Sequence, residues 1–155
     1  MRKLRSTQSV NAVAFSSDGK LLAVGSGGNQ DNQGQMRLWD PATRQPVGDP
    51  MASTRSVDAV AFSPDGKLLA SSGYFEEQGG DYSVRLWDPA TQQLVGDPPN
   101  LDNTGEFTAV VFTADGKALV CGGRPAKSFF RSSGDDDGIV RLEDLGSWPG
   151  RTVPR

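Results

Sequence analysis

The sequence predicts an all-β fold built from three similar antiparallel units. A segment of 14 residues occurs three times without a gap, as VNAVAFSSDGKLLA, VDAVAFSPDGKLLA and FTAVVFTADGKALV, starting at Val10, Val57 and Phe107. A second segment follows each copy, as MRLWD, VRLWD and VRLED. Because two separate segments recur together, each unit is predicted to be one repeated supersecondary structure.

The spacing between the copies sets the size of the unit. Phe15, Phe62 and Phe112 occupy the same place in the three copies and are 47 and 50 positions apart. This spacing is slightly longer than a typical unit of four strands. We therefore expect units at about residues 8–51, 55–99 and 105–155, within a single repeat region over residues 1–155.

The first two strands of each unit flank a tight turn. In residues 57–62, β-branched and aromatic residues alternate with small ones, which suits a strand packed on both faces. The Asp-Gly pair that follows tolerates positive φ, as a hairpin turn requires. This pair occurs as Asp18-Gly19, Asp65-Gly66 and Asp115-Gly116. The chain is predicted to reverse there and to form a second strand over the LLA-type segment.

The third and fourth strands come after a polar, glycine-rich loop. The RLWD-type segment is predicted as the third strand, and a Pro-Ala-Thr turn leads to a fourth strand at residues 45–48 and 93–96. Prolines near the fourth strand suit an outer edge, because a missing N–H costs little there. These prolines are Pro46, Pro50, Pro98 and Pro99.

The paired segments FSxDGKLLA and VRLWD resemble the repeats of the WD40 (WD-repeat) β-propeller family, from about Val10 to Asp144. The stretch WDPATxQxVGDP is similar to repeats of bacterial multi-repeat proteins. The resemblance implies three four-stranded antiparallel blades of a WD40-type β-propeller. It also implies a structural signature at Phe15, Asp18, Gly19, Trp39, Asp40, Phe62, Asp65, Gly66, Asp81, Trp87, Asp88, Phe112, Asp115, Gly116 and Asp137.

The sequence departs from the family pattern in two respects. It contains no histidine, so the hydrogen-bonded Ser/Thr-His-Asp-Trp network that many family members carry cannot form completely. Glu143 replaces the tryptophan found at Trp39 and Trp87. Since an unpaired buried carboxylate is costly, we expect the third blade to be the least stable, or its Glu143 face to be hydrated.

Three blades are too few to close a ring, which normally takes about four to eight. If each of the two bare end faces exposes on the order of 400 Å² of apolar surface, the stabilising free energy lost is roughly 20 kcal/mol at about 25 cal/mol/Å². The chain is therefore expected to be a partial or open propeller unless it is completed by self-association. Both origins, a fragment of a longer propeller and a self-associating half-ring, remain open.

Two enlarged loops carry the candidate partner-binding residues. We expect extended loops at residues 25–35, 73–82 and 122–138, and the resemblance to the WD40 family implies that they lie on one rim. Two of these loops hold adjacent aromatic residues, which are favoured at interfaces. The alternatives are that one aromatic of each pair packs on the core, or that the loops are extended hairpin arms. The candidates are Tyr74, Phe75, Glu76, Glu77, Lys127, Phe129, Phe130 and Arg131.

Composition and motifs argue against several other functions. With 16 basic and 19 acidic residues, we expect no nucleic-acid partner. The sequence has no run of 18 apolar residues, so no membrane-spanning helix is predicted. We expect a cytoplasmic location. Asp135-Asp136-Asp137-Gly138 lacks the spacing of a calcium loop and is interpreted as a turn. The single cysteine, Cys121, lies in an apolar run and is interpreted as a core residue.

These observations favour a non-catalytic protein–protein interaction scaffold with a protein partner, no catalytic residues, no cofactor and no metal. The alternative is a truncated or half propeller whose main role is self-assembly into a larger ring, and a homo-oligomer is expected in that case. An enzyme is disfavoured because no acid/base constellation is left once the turns are accounted for.

Overall fold

The computed structural model describes residues 8–27, 33–75, 81–96, 105–125 and 138–148. Eleven β-strands and one 3₁₀ turn lie within these ranges. The strands are β1 (Ser9–Phe15), β2 (Leu22–Gly27), β3 (Gly34–Asp40), β4 (Gln45–Thr54), β5 (Ser56–Phe62), β6 (Leu69–Phe75), β7 (Asp81–Asp88), β8 (Gln93–Leu94), β9 (Gly105–Phe112), β10 (Ala118–Pro125) and β11 (Ile139–Asp144). The 3₁₀ turn spans Leu145–Ser147.

The strands form three consecutive antiparallel blades, which confirms the predicted all-β class. Blade 1 comprises β1 to β4 and blade 2 comprises β5 to β8, each strand pairing with the next in sequence. One pairing between Gly27 and Ser56 joins these blades into an eight-stranded sheet. Blade 3 comprises β9 to β11. A fourth strand of blade 3 would fall in residues 149–155, outside the described residues.

The edge strand of blade 1 carries the prolines as predicted. β4 lies at one end of the sheet and includes Pro46 and Pro50. Because an edge strand leaves half of its backbone groups without a ladder partner, proline is tolerated there. Pro98 and Pro99 lie outside the described residues.

The Asp-Gly turns repeat one hydrogen-bonded arrangement in all three blades. In blade 2, Ser63 Oγ donates to Asp65 Oδ1 at 2.6 Å, and the same carboxylate accepts the Lys67 N–H at 3.0 Å. Gly66 follows with φ of 72°, a left-handed conformation that favours glycine. These hydrogen bonds lower the pKa of Asp65, with the Ser63 hydroxyl as the largest cause. The equivalent turns are centred on Asp18-Gly19 and Asp115-Gly116.

The aspartate that ends each third strand organises the next turn. Asp40 Oδ1 accepts the backbone N–H groups of Ala42 and Thr43, and these two bonds lower the pKa of Asp40. Asp88 accepts from Ala90 and Thr91 in the same way. Carboxylates at these signature positions are therefore used to shape the chain, as expected of short side chains in turns.

The two faces of each blade differ in side-chain size. The large face presents a Phe and a Val from the first strand, a Leu from the second and Trp or Glu from the third. The small face presents alanines or a valine from the first two strands, with Met, Val or Leu from the third. The large face of blade 2 packs on the small face of blade 1, and the large face of blade 3 packs on the small face of blade 2.

Two apolar cores result from this stacking. The core between blades 1 and 2 contains Ala23, Met36, Leu38, Val57, Val60, Leu69, Phe75 and Trp87. The core between blades 2 and 3 contains Leu68, Ala70, Val84, Leu86, Phe107, Phe112, Leu119, Cys121, Leu145 and Trp148. Cys121 is fully buried, and burial is the main cause that raises the pKa of its thiol to about 12. It acts as a small apolar residue, as its sequence context predicted.

Glu143 is accommodated at the edge of the second core rather than inside it. Its carboxylate lies 3.8 Å from the Arg141 guanidinium, and both side chains are partly exposed. The carboxylate of Glu143 is therefore partly open to solvent and lies near a cation, which limits the cost of placing its charge here.

Candidate protein-interaction surface

The first candidate surface lies on the rim where β5, β7 and β9 begin and β6 ends. Strand register places Ser56 opposite Tyr74, and Tyr74 opposite Tyr82. The two tyrosine rings meet edge to face, with centroids 5.2 Å apart and an interplanar angle of 77°. This geometry is favourable for aromatic pairs, so each ring holds the other in place.

A cation lies on one side of this aromatic pair. The Arg55 guanidinium carbon is 5.6 Å from the centroid of the Tyr74 ring, within the range of a cation–π contact. The backbone N–H of Arg55 also donates to the carbonyl oxygen of Tyr74 at 3.1 Å. Arg55 is exposed, so its guanidinium remains accessible to solvent.

Two carboxylates, those of Asp58 and Glu106, lie near the Tyr82 ring of this pair. Asp58 is half-buried and accepts from Ser56 Oγ at 3.3 Å. Desolvation raises the pKa of Asp58 despite this hydrogen bond, and the charge of Glu106 raises it further. The pKa of Tyr82 is raised by desolvation first, and then by the charge of Glu106 and a side-chain hydrogen bond with it. The surface is therefore locally rich in negative charge.

We name these five residues, Arg55, Asp58, Tyr74, Tyr82 and Glu106, the rim cluster. Arg55 and Glu106 are exposed, and the other three are half-buried. Of these five residues, only Tyr74 is predicted from the sequence, because the other four come from β5, β7, β9 and the residue before β5. The sequence does contain a signal for Tyr82. Tyr74 and Tyr82 flank the same loop, at positions that a β-hairpin places opposite each other.

Phe75 occupies a different place from the one expected of a partner-binding residue. Its side chain is fully buried in the core between blades 1 and 2. The Arg85 guanidinium carbon lies 3.9 Å from the centroid of its ring. Side chains alternate along a strand, so Tyr74 and Phe75 point to opposite faces of β6. Phe75 is therefore a core residue, the alternative left open for one aromatic of each pair, and of these two only Tyr74 stays a candidate for partner binding.

The predicted loops are also shorter than expected. β6 continues to Phe75 and β7 begins at Asp81, so the hairpin arms extend into the segment expected to be a loop. The same holds for β2 with β3 and for β10 with β11. The other expected site residues lie outside the described part of the chain: Glu76, Glu77, Lys127, Phe129, Phe130, Arg131 and the signature residue Asp137.

A second concave region lies between the outer strands of blades 1 and 2. This cleft has a volume of about 520 Å³ and is lined by residues of β4 and of the β7–β8 hairpin, including Asp49, Met51, Arg85 and Trp87. Gln92 closes one part of it, because its side-chain amide donates to the Val47 carbonyl at 2.7 Å. The cleft therefore connects adjacent blades, whereas the rim cluster faces outward.

The described ranges offer neither a metal site nor a membrane-spanning helix. No group of three or more His, Cys, Asp or Glu side chains there has the arrangement needed to hold a metal ion. The same residues include no helix that is long and apolar enough to cross a membrane.

Solved structures similar to this chain share its fold. TolB from Acinetobacter baumannii is 21% identical, with a TM-score of 0.63 over 94% of this chain and 32% of TolB. Hydrazine synthase from Kuenenia stuttgartiensis is 19% identical, with a TM-score of 0.64 over 94% of this chain and 36% of that protein. The chain thus spans about a third of each of these proteins. A comparison with curated protein sequences finds no match.

The family follows from the sequence repeats. The model of the family described as "WD domain, G-beta repeat" matches residues 1–40 and 45–88, together more than half of the chain. These matches end at the two RLWD segments, where Asp40 and Asp88 cap the next turn. Blade 3, with Glu143 at the tryptophan position, lies beyond them. The chain belongs to the WD40-repeat family.

Proposed function

We propose that this chain is a non-catalytic protein-interaction scaffold that binds a protein partner through the rim cluster. The observation that supports this proposal is the partly exposed Tyr74–Tyr82 pair, with a guanidinium over the Tyr74 ring and two carboxylates near Tyr82. Tyrosine and arginine are enriched among the residues that dominate binding energies. Rigid aromatic side chains held by a β-sheet also lose little conformational freedom on binding.

The charges favour a partner that presents a basic side chain. The charge of Glu106 raises the pKa of Asp58, and the charges of both carboxylates raise the pKa of Tyr82, so like charges repel here. A lysine or arginine of the partner would relieve this repulsion, and the tyrosine faces offer additional cation–π contacts. The non-catalytic role is supported by the use of most described aspartates in turns, where their oxygens already accept backbone N–H groups.

The test is capture of partners from a cell extract, followed by reconstitution with the purified partner. The Tyr74→Ser/Tyr82→Ser variant should lose the partner and weaken its binding by about tenfold or more, as expected for interface hot spots. Leu94→Ser is the control, because Leu94 is an exposed apolar residue on β8, outside the rim cluster. Equal recovery by the wild type and the double variant, with both folded, would contradict the proposal.

A second candidate function is self-assembly into a larger ring. The observation that favours it is the exposure of large apolar side chains on both end blades, including Val13 and Phe15 on blade 1 and Val140 and Leu142 on blade 3. Apolar surfaces of this kind mark interaction sites when they are contiguous.

A further inference from the structure

The contacts between blades inside the chain follow one rule. At each contact, a large face bearing Phe and Val packs on a small face bearing alanines and a Leu from the third strand. Leu38 of blade 1 and Leu86 of blade 2 are the third-strand leucines, and both are at most 1% exposed because the next blade covers them. The equivalent Leu142 of blade 3 is 66% exposed.

The opposite end shows the complementary pattern. Phe112 of blade 3 lies against blade 2 and is 8% exposed, whereas the equivalent Phe15 of blade 1 is 62% exposed. Val60 of blade 2 is buried, and the equivalent Val13 of blade 1 is as exposed as Phe15. The chain therefore has one bare large face, on blade 1, and one bare small face, on blade 3.

We propose that the large face of blade 1 in one copy packs on the small face of blade 3 in a second copy, head to tail. This inference rests on the self-assembly function and specifies its partner and its geometry. The two contacts within the chain serve as the template, since each joins the same two kinds of face. Because blades 1 and 3 present the two kinds of face, two copies of these three blades can make two equivalent contacts and contribute six blades.

Shape favours this pairing over contact between like faces. The bare large face carries Phe15, Val13 and Trp39, and their bulk fits a face whose first strand offers Ala109 and Val111. Two large faces would oppose bulky side chains, and two small faces would leave space between them. Close packing of complementary shapes is what makes such contacts stable.

Charge is also compatible with the contact. The large face of blade 1 carries Arg37, and its counterpart on blade 2, Arg85, is buried within the contact with blade 1. In blade 2 the guanidinium lies over the Phe75 ring. The contact between blades 1 and 2 thus already accommodates an arginine, Arg85, at the position that Arg37 would occupy in the proposed contact.

The test uses light scattering with the full 155-residue chain over a dilution series. The wild type should have at least twice the mass of one chain at high concentration. Phe15→Asp and Leu142→Asp should each have the mass of a single chain, since each variant lacks one of the two faces in every copy. An equimolar mixture of the two variants should recover a species of two chains, because the intact small face of one meets the intact large face of the other.

Several outcomes would overturn the inference. These are a wild type that stays a single chain at the highest concentration, and a mixture that shows no recovery. A third is disruption by only one of the two substitutions, which would indicate contact between like faces. Leu94→Asp is the control for an added charge at an exposed apolar position, and it should leave the mass unchanged. Circular dichroism checks that each variant is folded.

Failure of this inference is distinguishable from failure of the rim proposal. Neither Phe15 nor Leu142 belongs to the rim cluster, and partner recovery through Tyr74 does not require the second copy. A monomeric chain that still loses its partner in the double tyrosine variant would overturn the head-to-tail contact only.

Discussion

Trp87 donates its indole N–H to the hydroxyl oxygen of Ser71 at 2.9 Å, inside the contact between blades 1 and 2. Both residues are buried. In blade 1 the equivalent residues are Trp39 and Val24, and in blade 3 they are Glu143 and Cys121. Because a serine is missing from both positions, neither blade 1 nor blade 3 repeats the bond. The bond therefore lets one buried tryptophan satisfy its only polar group where water is excluded.

Replacing Ser71 by alanine should destabilise the fold by about 1–3 kcal/mol, because the indole N–H would remain buried without an acceptor. The matched control is Ser72→Ala, since the hydroxyl of Ser72 is buried and has no hydrogen-bond partner among the residues that the structure describes. Removing that hydroxyl should be neutral or stabilising. Urea unfolding of both variants measures the difference, and equal losses of stability would contradict the assigned role of Ser71.

Gly73→Ala should also destabilise the protein, by roughly 1–3 kcal/mol, because overpacking forces the backbone to move. A Cβ at position 73 would lie 2.0 Å from the carbonyl oxygen of Ser56 in the neighbouring strand. Gly122 is the control, since a Cβ there would meet its nearest neighbour, the Ala109 Cβ, at 3.9 Å. Thermal unfolding should show a clear loss for Gly73→Ala and little change for Gly122→Ala. A reversed order would show that the close approach of β5 and β6 is not a constraint.

Asp58→Asn should stabilise the fold at neutral pH. The pKa of Asp58 is raised in the folded state, mainly by desolvation, so ionised Asp58 disfavours folding above that pKa. As pH falls through the raised pKa towards 3.8, its ordinary value, Asp58 takes up a proton in the folded protein and its penalty disappears. The stability difference between variant and wild type should therefore shrink on acidification. Chemical unfolding across this pH range checks the sign, and a difference that grows in acid would contradict it.

Phe75→Ala should cost about 3–5 kcal/mol, as expected when a buried phenylalanine is truncated. Tyr74→Ala should cost much less, because Tyr74 is only half-buried and lies on the rim. Unfolding curves compare the two adjacent positions directly. Similar losses at both would place Tyr74 in the core and remove the main support for the rim cluster.

Much of the fold could be predicted from the sequence because its signals are local. The Asp-Gly turns need only neighbouring atoms, as in the hydrogen bonds among Ser63, Asp65 and Lys67. The strands follow from repeated apolar patterns, and the outer-edge position of β4 follows from Pro46 and Pro50. The family assignment depends on the same repeats.

The candidate site could be predicted only in part because it depends on register. Tyr74 was found from its position in an aromatic pair, but its neighbour Phe75 is buried by the alternation of side chains along β6. Asp58 and Glu106 are distant in sequence, and the charge of Glu106 acts on Asp58 only after blades 2 and 3 stack. A sequence pattern does not specify which distant side chains meet at such a junction.

The sequence by itself determined that three units repeat and where each chain reversal occurs, because these properties follow from local turns and from counting. Only the tertiary structure decided that one exposed face is a large face and the other a small face, with Phe15 exposed on blade 1 and Leu142 exposed on blade 3. The physical reason is that burial depends on which blade covers a face. Identical residues therefore differ in exposure according to their place in the stack.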